Sequence, residues 1–501
     1  MLRFTLNSNG QEAEELTLDG AYAVGSEGVP LRAELIFSES ELVCTKRTEG
    51  PAGVALLWPV KDFGSVILET SRLMDREDPY VMALELVRGR LMRINQKRED
   101  WGLFDCEGVE EITDEIDQAR ALFIEAIKAD EPERKTELSD KALKIALIAG
   151  EKLSHFHADI FLTRRKQTHA FTKRTIGCCI DVKNTSDEYR KMLLETMDFA
   201  YLPMPWSAVE PKQQEYDWRI FDNWIEWLIQ NRIPVKVGAL ISFHESHIPP
   251  WLGMYETDFE MVRNLIFDHV RRIVERYGQY VYQWNVISGV HAENTFDFTF
   301  DQLMELTRVT VSLVKQLAPK AQSIIDLTMP WGEYFARNQR TIPPMLYMDM
   351  VVQSGVGFDG IGVQLIFGAP SDGMYVRDMF QISEKLDRLG NFGKPVHITA
   401  VQVPSKPLGN GSAASGGSWW RPWSEEIQAR WIKEFCAIAL SKPFVESIAW
   451  RDLNDRSEPS ALPCGGLLRD DLKPKPAYKV LMDIRKELLA SIRKPPANKP
   501  A

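Results

Sequence analysis

The side chains best suited to chemistry sit where apolar runs end. In YVYQWNVISGVHAEN, residues 280–294, a mostly apolar stretch rich in β-branched and aromatic residues is broken by Ser288 and Gly289, and His291, Glu293 and Asn294 follow. This pattern predicts a buried strand opening into a polar loop. Glu245 in SFHESH, Glu333 in PWGEYF and Asp452 in AWRDL hold equivalent places after other apolar runs. Two carboxyls facing each other across a cleft can divide proton donation and abstraction between them, which is acid/base hydrolysis. His244 and His247 with Glu245, and His291 with Glu293, form a different set, whose ligand types suit zinc or iron. The ordinary alternative is that rim acids are solvated or paired with arginine, as Asp452 can be with Arg451 or Arg456.

Positioning these ends requires a regular alternation of elements. From Arg174 onward, TIGCCID, FAYLPM, VKVGALIS, VYQWNVIS, SIIDLTM, GIGVQLIF, PVHITAV and VESIAW read as strands, each followed by a helical or amphipathic stretch. Eight strand–helix units predict an α/β fold, a (β/α)8 barrel over residues 174–490, better than an open doubly wound sheet. Chemistry in such a barrel lies in the loops after the strands. No glycine-rich phosphate fingerprint follows any strand, so no cofactor is expected.

Ahead of the barrel, residues 1–109 carry short β-type runs such as LRFTL, AYAV, LRAELIF, GVALLWPV and GSVILET between turn residues. They predict a β-rich, sandwich-like domain that either binds carbohydrate or covers the barrel. Its later part, YVMALELVRGRLMRINQ, has apolar residues three and four apart and fits a helix equally. Residues 110–173 read as a helical connector, in which His155 and His157 are packing or surface residues. Residues 491–501 form a C-terminal tail.

With 501 residues, 44% apolar and 26% charged, the chain has material for more than one core. Its formal net charge of -11 disfavours nucleic acid or an anionic membrane as partner, because a polyanion is repelled on average. The N-terminal MLRFTLNSNG lacks the pattern of a secretory signal and no run is long enough to span a membrane, so a cytoplasmic location is expected. Cys44, Cys106, Cys178, Cys179, Cys436 and Cys464 show no zinc spacing and are expected to be reduced.

Several segments, in order, resemble family 10 of the glycoside hydrolases, the retaining endo-xylanases. MPWSAVEP at 204–211 resembles the family's MKWxxxEP, VGALISFHESHIPPWL resembles GHTLVWHxxxPxWL, and WNVISGV resembles WDVVNEA. GFDGIGVQ is similar to IDGIGxQ, VHITAVQV to VHITELDV, and GGLLRDDLKPKPAYKVL to the closing GLFDxxxxPKPAY. The resemblance spans residues 174–489 and implies a barrel with a proton-donating glutamate after the fourth strand and a nucleophilic glutamate on the seventh.

At those two places this chain departs from the family. The NE pair aligns with Ser288 and Gly289, the glutamate of ITELD with Ala400, and its aspartate with Gln402. Neither glycine nor alanine can donate a proton or attack an anomeric carbon. The sugar-holding ENxMKW segment aligns with Tyr201, Leu202, Met204, Pro205 and Trp206; the first histidine of GHTLVWH becomes Ala239 and its tryptophan Phe243. His244, Trp251, Gln364 and Trp450 match family positions, while Ile366 stands where a histidine is usual.

The resulting expectation is a family 10-like barrel that lacks the family mechanism and binds a carbohydrate, or a protein, in its cleft. Trp206, His244, Trp251, His291, Gln364 and Trp450 would line that cleft. In PSKPLGNGSAASGGSWWRPWSEE, Trp419, Trp420 and Trp423 form either a sugar-stacking platform or rim packing. One alternative is a glycoside hydrolase acting on a plant or microbial polysaccharide through relocated carboxylates, drawn from Glu293, Glu333, Glu245 and Asp452. Another is a metal-dependent hydrolase built on His244, His247 and His291.

Overall fold

The computed structural model describes residues 1–6, 16–38, 41–408, 416–456 and 460–492. Among these, the eight predicted barrel strands are Ile176–Cys179, Phe199–Leu202, Val235–Val237, Val281–Ser288, Gln322–Leu327, Gly360–Ile366, Val396–Gln402 and Val445–Trp450. Neighbours pair in parallel, and the eighth returns to the first to close the barrel. Their near-continuous apolar runs follow from burial on both faces, by side chains inside and helices outside. Helix Arg219–Gln230 turns Phe221, Trp224, Ile225 and Leu228 inward at three-and-four spacing. Helix Phe300–Leu317 starts at a capping box between Thr299 and Gln302.

The N-terminal region forms two sheets. One is ordered Ala33–Ser38, Glu41–Lys46, Leu2–Thr5, Tyr80–Val81. The other runs Ser418–Trp419, Gly64–Glu69, Gly53–Val60, Tyr22–Val24, Pro30–Leu31. The β region ends at Val81, ahead of the expected boundary at 109, because the three-and-four spacing prevails and Met82–Asp100 is a helix. Ser418–Trp419 comes from the loop after the seventh barrel strand and pairs with Ser65 and Gly64, so barrel and N-terminal sheet share a ladder. The connector helices Glu110–Lys128 and Pro132–Gln167 pack on each other, and the second also touches Met82–Asp100 and Glu425–Ser441. The main apolar core runs from Leu2 through the barrel to Leu488, with three small clusters beside it among the described residues. His155 pairs with Glu434 at 3.0 Å and His157 stacks on Trp101, both packing roles. No helix among the described residues is long and apolar enough to cross a membrane.

The seam is held by buried charge. Arg90, on Met82–Asp100, grips both oxygens of Asp378 at 3.1–3.3 Å, with both side chains removed from solvent. Asp378 also caps helix Met379–Gly390 by accepting the Gln381 N–H. Beside it, Arg377 donates to Glu333 at 2.6 Å and lies 3.6 Å from Glu69 of the N-terminal sheet. Removing one partner of such a pair strands the other charge out of water. Arg90→Met is therefore expected to lower the unfolding free energy by about 3–5 kcal/mol. Urea unfolding of the full chain measures it, and a loss well under about 1 kcal/mol, the range of exposed pairs, would show that the seam does not depend on this pair.

Candidate functional site

At the carboxyl ends of the fourth to seventh strands, four polar side chains meet inside the barrel. The parallel register pairs Ser288 with Asp326 and Gln364 with Ala400, the neighbour of Thr399. Ser288 Oγ donates to Asp326 Oδ2 at 2.7 Å, Gln364 Nε2 to the same oxygen at 2.8 Å, and Thr399 Oγ1 to Asp326 Oδ1 at 2.5 Å. Burial pushes the Asp326 carboxyl above the usual range, and these donors pull it part of the way back. Sequence reasoning missed Asp326. The signal available was an aspartate inside the apolar strand SIIDLTM, since a carboxylate is rarely fully buried without partners.

The loop after the fourth strand builds a second feature. Gly289 has φ +69°, a left-handed conformation that glycine adopts without steric cost. Its carbonyl accepts the Glu293 N–H at 2.9 Å, and this single turn folds the Glu293 side chain back over it. A Cβ on residue 289 would lie 2.9 Å from Thr328 Oγ1 and 3.4 Å from Glu293 Oε2. The Glu293 carboxyl thus lies beside the Cα of Gly289. Burial pushes its pKa up to about 7, and His244 Nε2 is 4.0 Å away. At neutral pH this group is poised between acid and base, the range in which general acid–base catalysis works.

The other expected site residues fall in different surroundings. Asp452 is buried, accepts Gln402 Nε2 at 2.8 Å and pairs with Arg456 at 2.6 Å. Glu333 is buried against Arg377 at the seam, and Glu245 is exposed. His291 is fully buried against Tyr334 and Tyr347 with neither ring nitrogen bonded, and burial holds its pKa at about 3. His247, close to His244, is held at about 4 by burial and by that neighbour. Among the described residues no three His, Cys, Asp or Glu side chains converge as metal ligands, so the His244, His247 and His291 set does not assemble. The Cys179 thiol, whose sulfur faces the Thr399 carbonyl, is pushed up to about 12 by burial and is no thiolate.

The tryptophans divide similarly. Trp206 stacks on His269 and donates to Glu210, and Trp251 donates to the Glu210 carbonyl. Trp450 donates to the Gly465 carbonyl. Trp419 and Trp420 donate to the two oxygens of Glu151 at 2.8 and 2.7 Å, under the Arg430 guanidinium, and Trp423 donates to the Gly417 carbonyl. Trp419 and Trp420 thus pack at the rim onto helix Pro132–Gln167, and Trp423 is buried within its own loop. The glycine- and serine-rich approach at 409–415 lies outside the described residues.

Comparison with known proteins adds the following. A family model described as Glycosyl hydrolase family 10 matches residues 165–484. Endo-1,4-beta-xylanase B of Thermotoga neapolitana is 22% identical over 300 residues, covering 57% of this chain and 79% of that protein. Endo-1,4-beta-xylanase B of Neocallimastix patriciarum is 19% identical over 259 residues, which cover 50% of this chain and 27% of its own length. Among solved structures, native xylanase 10B from Thermotoga maritima superposes with a TM-score of 0.50 at 18% identity, over 66% of this chain and 98% of that one. This last likeness is one of fold.

Two measurements probe the site directly. Because the folded-state pKa of Glu293 is raised from 4.5 to about 7, the native state holds a proton that the unfolded chain releases. The stabilisation this gives is full below the ordinary pKa and is lost as pH climbs through about 7. Glu293→Gln should remove that slope, gaining up to about 3 kcal/mol relative to the native chain between pH 4.5 and 8. Parallel urea curves for the two proteins at every pH would contradict it. Trp420→Phe keeps an aromatic ring, smaller than the indole, and deletes the donor to Glu151, so thermal unfolding should show a loss of about 1–2 kcal/mol or more.

Proposed function

The chain belongs to glycosyl hydrolase family 10, and from that premise we propose that its barrel binds a carbohydrate chain without cleaving it by the retaining double displacement. That mechanism needs two carboxyls about 5–5.5 Å apart, one to protonate the leaving oxygen and one to attack the anomeric carbon. The observation that carries the reading is the state of the carboxyls around Gly289 and Ala400. Asp326 is engaged by Ser288, Gln364 and Thr399, and Asp452 by Gln402 and Arg456, so each has partners other than a sugar. Glu293 stands at the rim as a lone carboxyl, with half-exposed His244 beside it. Together with Gln364 these groups offer hydrogen bonds of both senses to sugar hydroxyls. The six cysteines are free thiols, which supports a reducing compartment such as the cytoplasm.

A second reading, a glycoside hydrolase with a relocated acid, is favoured by the position and raised pKa of Glu293. Calorimetric titration of the full chain with xylo-oligosaccharides, alongside reducing-sugar release from xylan and aryl xylosides, separates the two. Binding without turnover is the expected result, and His244→Ala should weaken it about tenfold. Turnover that disappears in Glu293→Gln would replace the first reading with the second. Neither binding nor turnover across a panel of glycans would discard both and leave a protein ligand for the cleft.

A further inference from the structure

A second polar pocket lies at the other mouth of the barrel, where the strands begin. About 510 Å³ in volume, it is lined by Thr172, Lys173 and Arg174 ahead of the first strand, Lys236, Tyr282, Gln322, His397, Glu446 and Ser447 on the strands, and Lys320 just ahead of the fifth. Four of these side chains are cationic and one is acidic, in a protein whose net charge is -11. A local charge so opposed to the overall balance marks an anion site.

Lys236 is the centre of the pocket. It is buried on the third strand, between the rings of Phe199 and Tyr282. Its ammonium donates to Ser447 Oγ at 2.7 Å and forms no ion pair with a carboxylate among the described residues. Buried ammonium groups are ordinarily paired, because an isolated charge out of water is costly. His397 accepts from Gln283 Nε2 at 3.0 Å, so its Nδ1–H donates to the same Ser447 oxygen at 2.9 Å. Ser447 is thereby saturated as an acceptor. Its own hydroxyl hydrogen and two of the Lys236 hydrogens remain unspent, and so does the partnerless Tyr282 hydroxyl. The Arg174 guanidinium caps the Tyr282 ring at 4.5 Å, while Lys173 and Lys320 are exposed at the mouth. The pocket therefore presents donors and positive charge in excess of its one acid, Glu446, whose carboxylate lies 3.7 Å from His397 Nε2 and forms no ion pair with Lys236 among the described residues.

We propose that this mouth of the barrel binds a phosphate-bearing small molecule, with the phosphate between Lys236, Ser447 and Arg174 and with Lys173 and Lys320 attracting it. A phosphate supplies several acceptor oxygens and at least one full charge, which answers the unspent donors. The volume exceeds that of the bare anion and leaves room for the group that it esterifies. The site is separate from the glycan cleft, so its success or failure does not depend on the reading of that cleft.

Occupancy is coupled to protonation. Burial brings Lys236 down to about 7; Arg174 and the neighbouring His397 add no negative charge, and Glu446 only partly opposes the drop, with the Cys179 thiol beyond them. An anion favours the ammonium, so its affinity should fall as pH rises above about 7.

The test titrates the full chain with inorganic phosphate and with glucose 6-phosphate at fixed ionic strength, following the melting temperature against potassium chloride. A saturable rise is expected, with the apparent affinity about tenfold or more weaker in Lys236→Met and Arg174→Gln. Arg174 is exposed, so Arg174→Gln reads the site even where the buried substitution alters folding. Tighter binding of glucose 6-phosphate would identify a phosphate monoester as the ligand, and equal or tighter binding of inorganic phosphate would identify the free anion. Sulfate, whose charge does not change over this range, should bind at least about tenfold more weakly at pH 9 than at pH 6. No saturable rise, or one that both variants retain, would overturn the proposal.

Discussion

The buried charges at Arg377 and Asp378 are the constraint on which the remainder of the molecule depends. Arg377 joins Glu333, from the loop after the fifth barrel strand, to Glu69 of the N-terminal sheet. Its neighbour Asp378 is gripped by Arg90 and caps a barrel helix, and the next N–H, that of Met379, is held by Glu151. Glu151 also accepts from the indole of Trp419, in the strand that pairs with the N-terminal sheet, and from that of Trp420 just after it. Ions removed from water are tolerated only where geometry satisfies them, so these contacts fix one relative placement of sheet, connector helices and barrel. The main apolar core says the same in another form, since residues of the N-terminal sheets, the connector helices and the barrel belong to one cluster.

This economy of charge also explains the chemistry that the barrel has available. Of the acids near strand ends that suggest catalysis, Glu333 belongs to the seam and Asp452 to Arg456 and Gln402. Asp326 is the hub of a closed hydrogen-bond layer. A carboxylate that already accepts from three donors has little capacity left to attack an anomeric carbon, because its lone pairs are stabilised where they are. Glu293 differs in that its pKa is raised by burial with no donor set against it. The same physical cause, loss of water, yields a structural hub where partners are supplied and a titratable group where they are not.

The barrel was legible in the sequence because its signal is local. Each parallel strand is an apolar run with β-branched residues, and every one of the eight segments from TIGCCID to VESIAW contains a strand of the closed ring. Pairings across long separations were not legible. Nothing in GGSWWRP announces that Ser418 and Trp419 will pair with Ser65 and Gly64, more than 350 residues earlier in the chain. An indole can stack on a sugar or pack on a helix, and only the position of Glu151 decides between them. For Met82–Asp100 the periodicity was present but shared a window with strand-like residues, and packing against the long connector helix decided the outcome. Asp326 was hidden for a simpler reason: a lone acid in an apolar strand reads as an interruption until its three donors, each from a different strand, are in place.

Gly289 draws these threads together. As a residue type, glycine at that position reads only as the absence of a carboxyl. In the fold it is a requirement, since φ is +69° and a Cβ would press on Thr328. The turn that this conformation opens is the one that returns Glu293 to the same volume. A side chain on residue 289 would thus start in contact with the carboxyl of Glu293. The left-handed backbone penalises any side chain at 289, and its Cβ would meet Thr328 at 2.9 Å and touch Glu293 Oε2 at 3.4 Å. A glutamate placed there in isolation would add backbone strain and a second carboxyl beside the first. The site has to be understood as a turn that carries its carboxyl four residues later, and its chemistry follows from that carboxyl's surroundings.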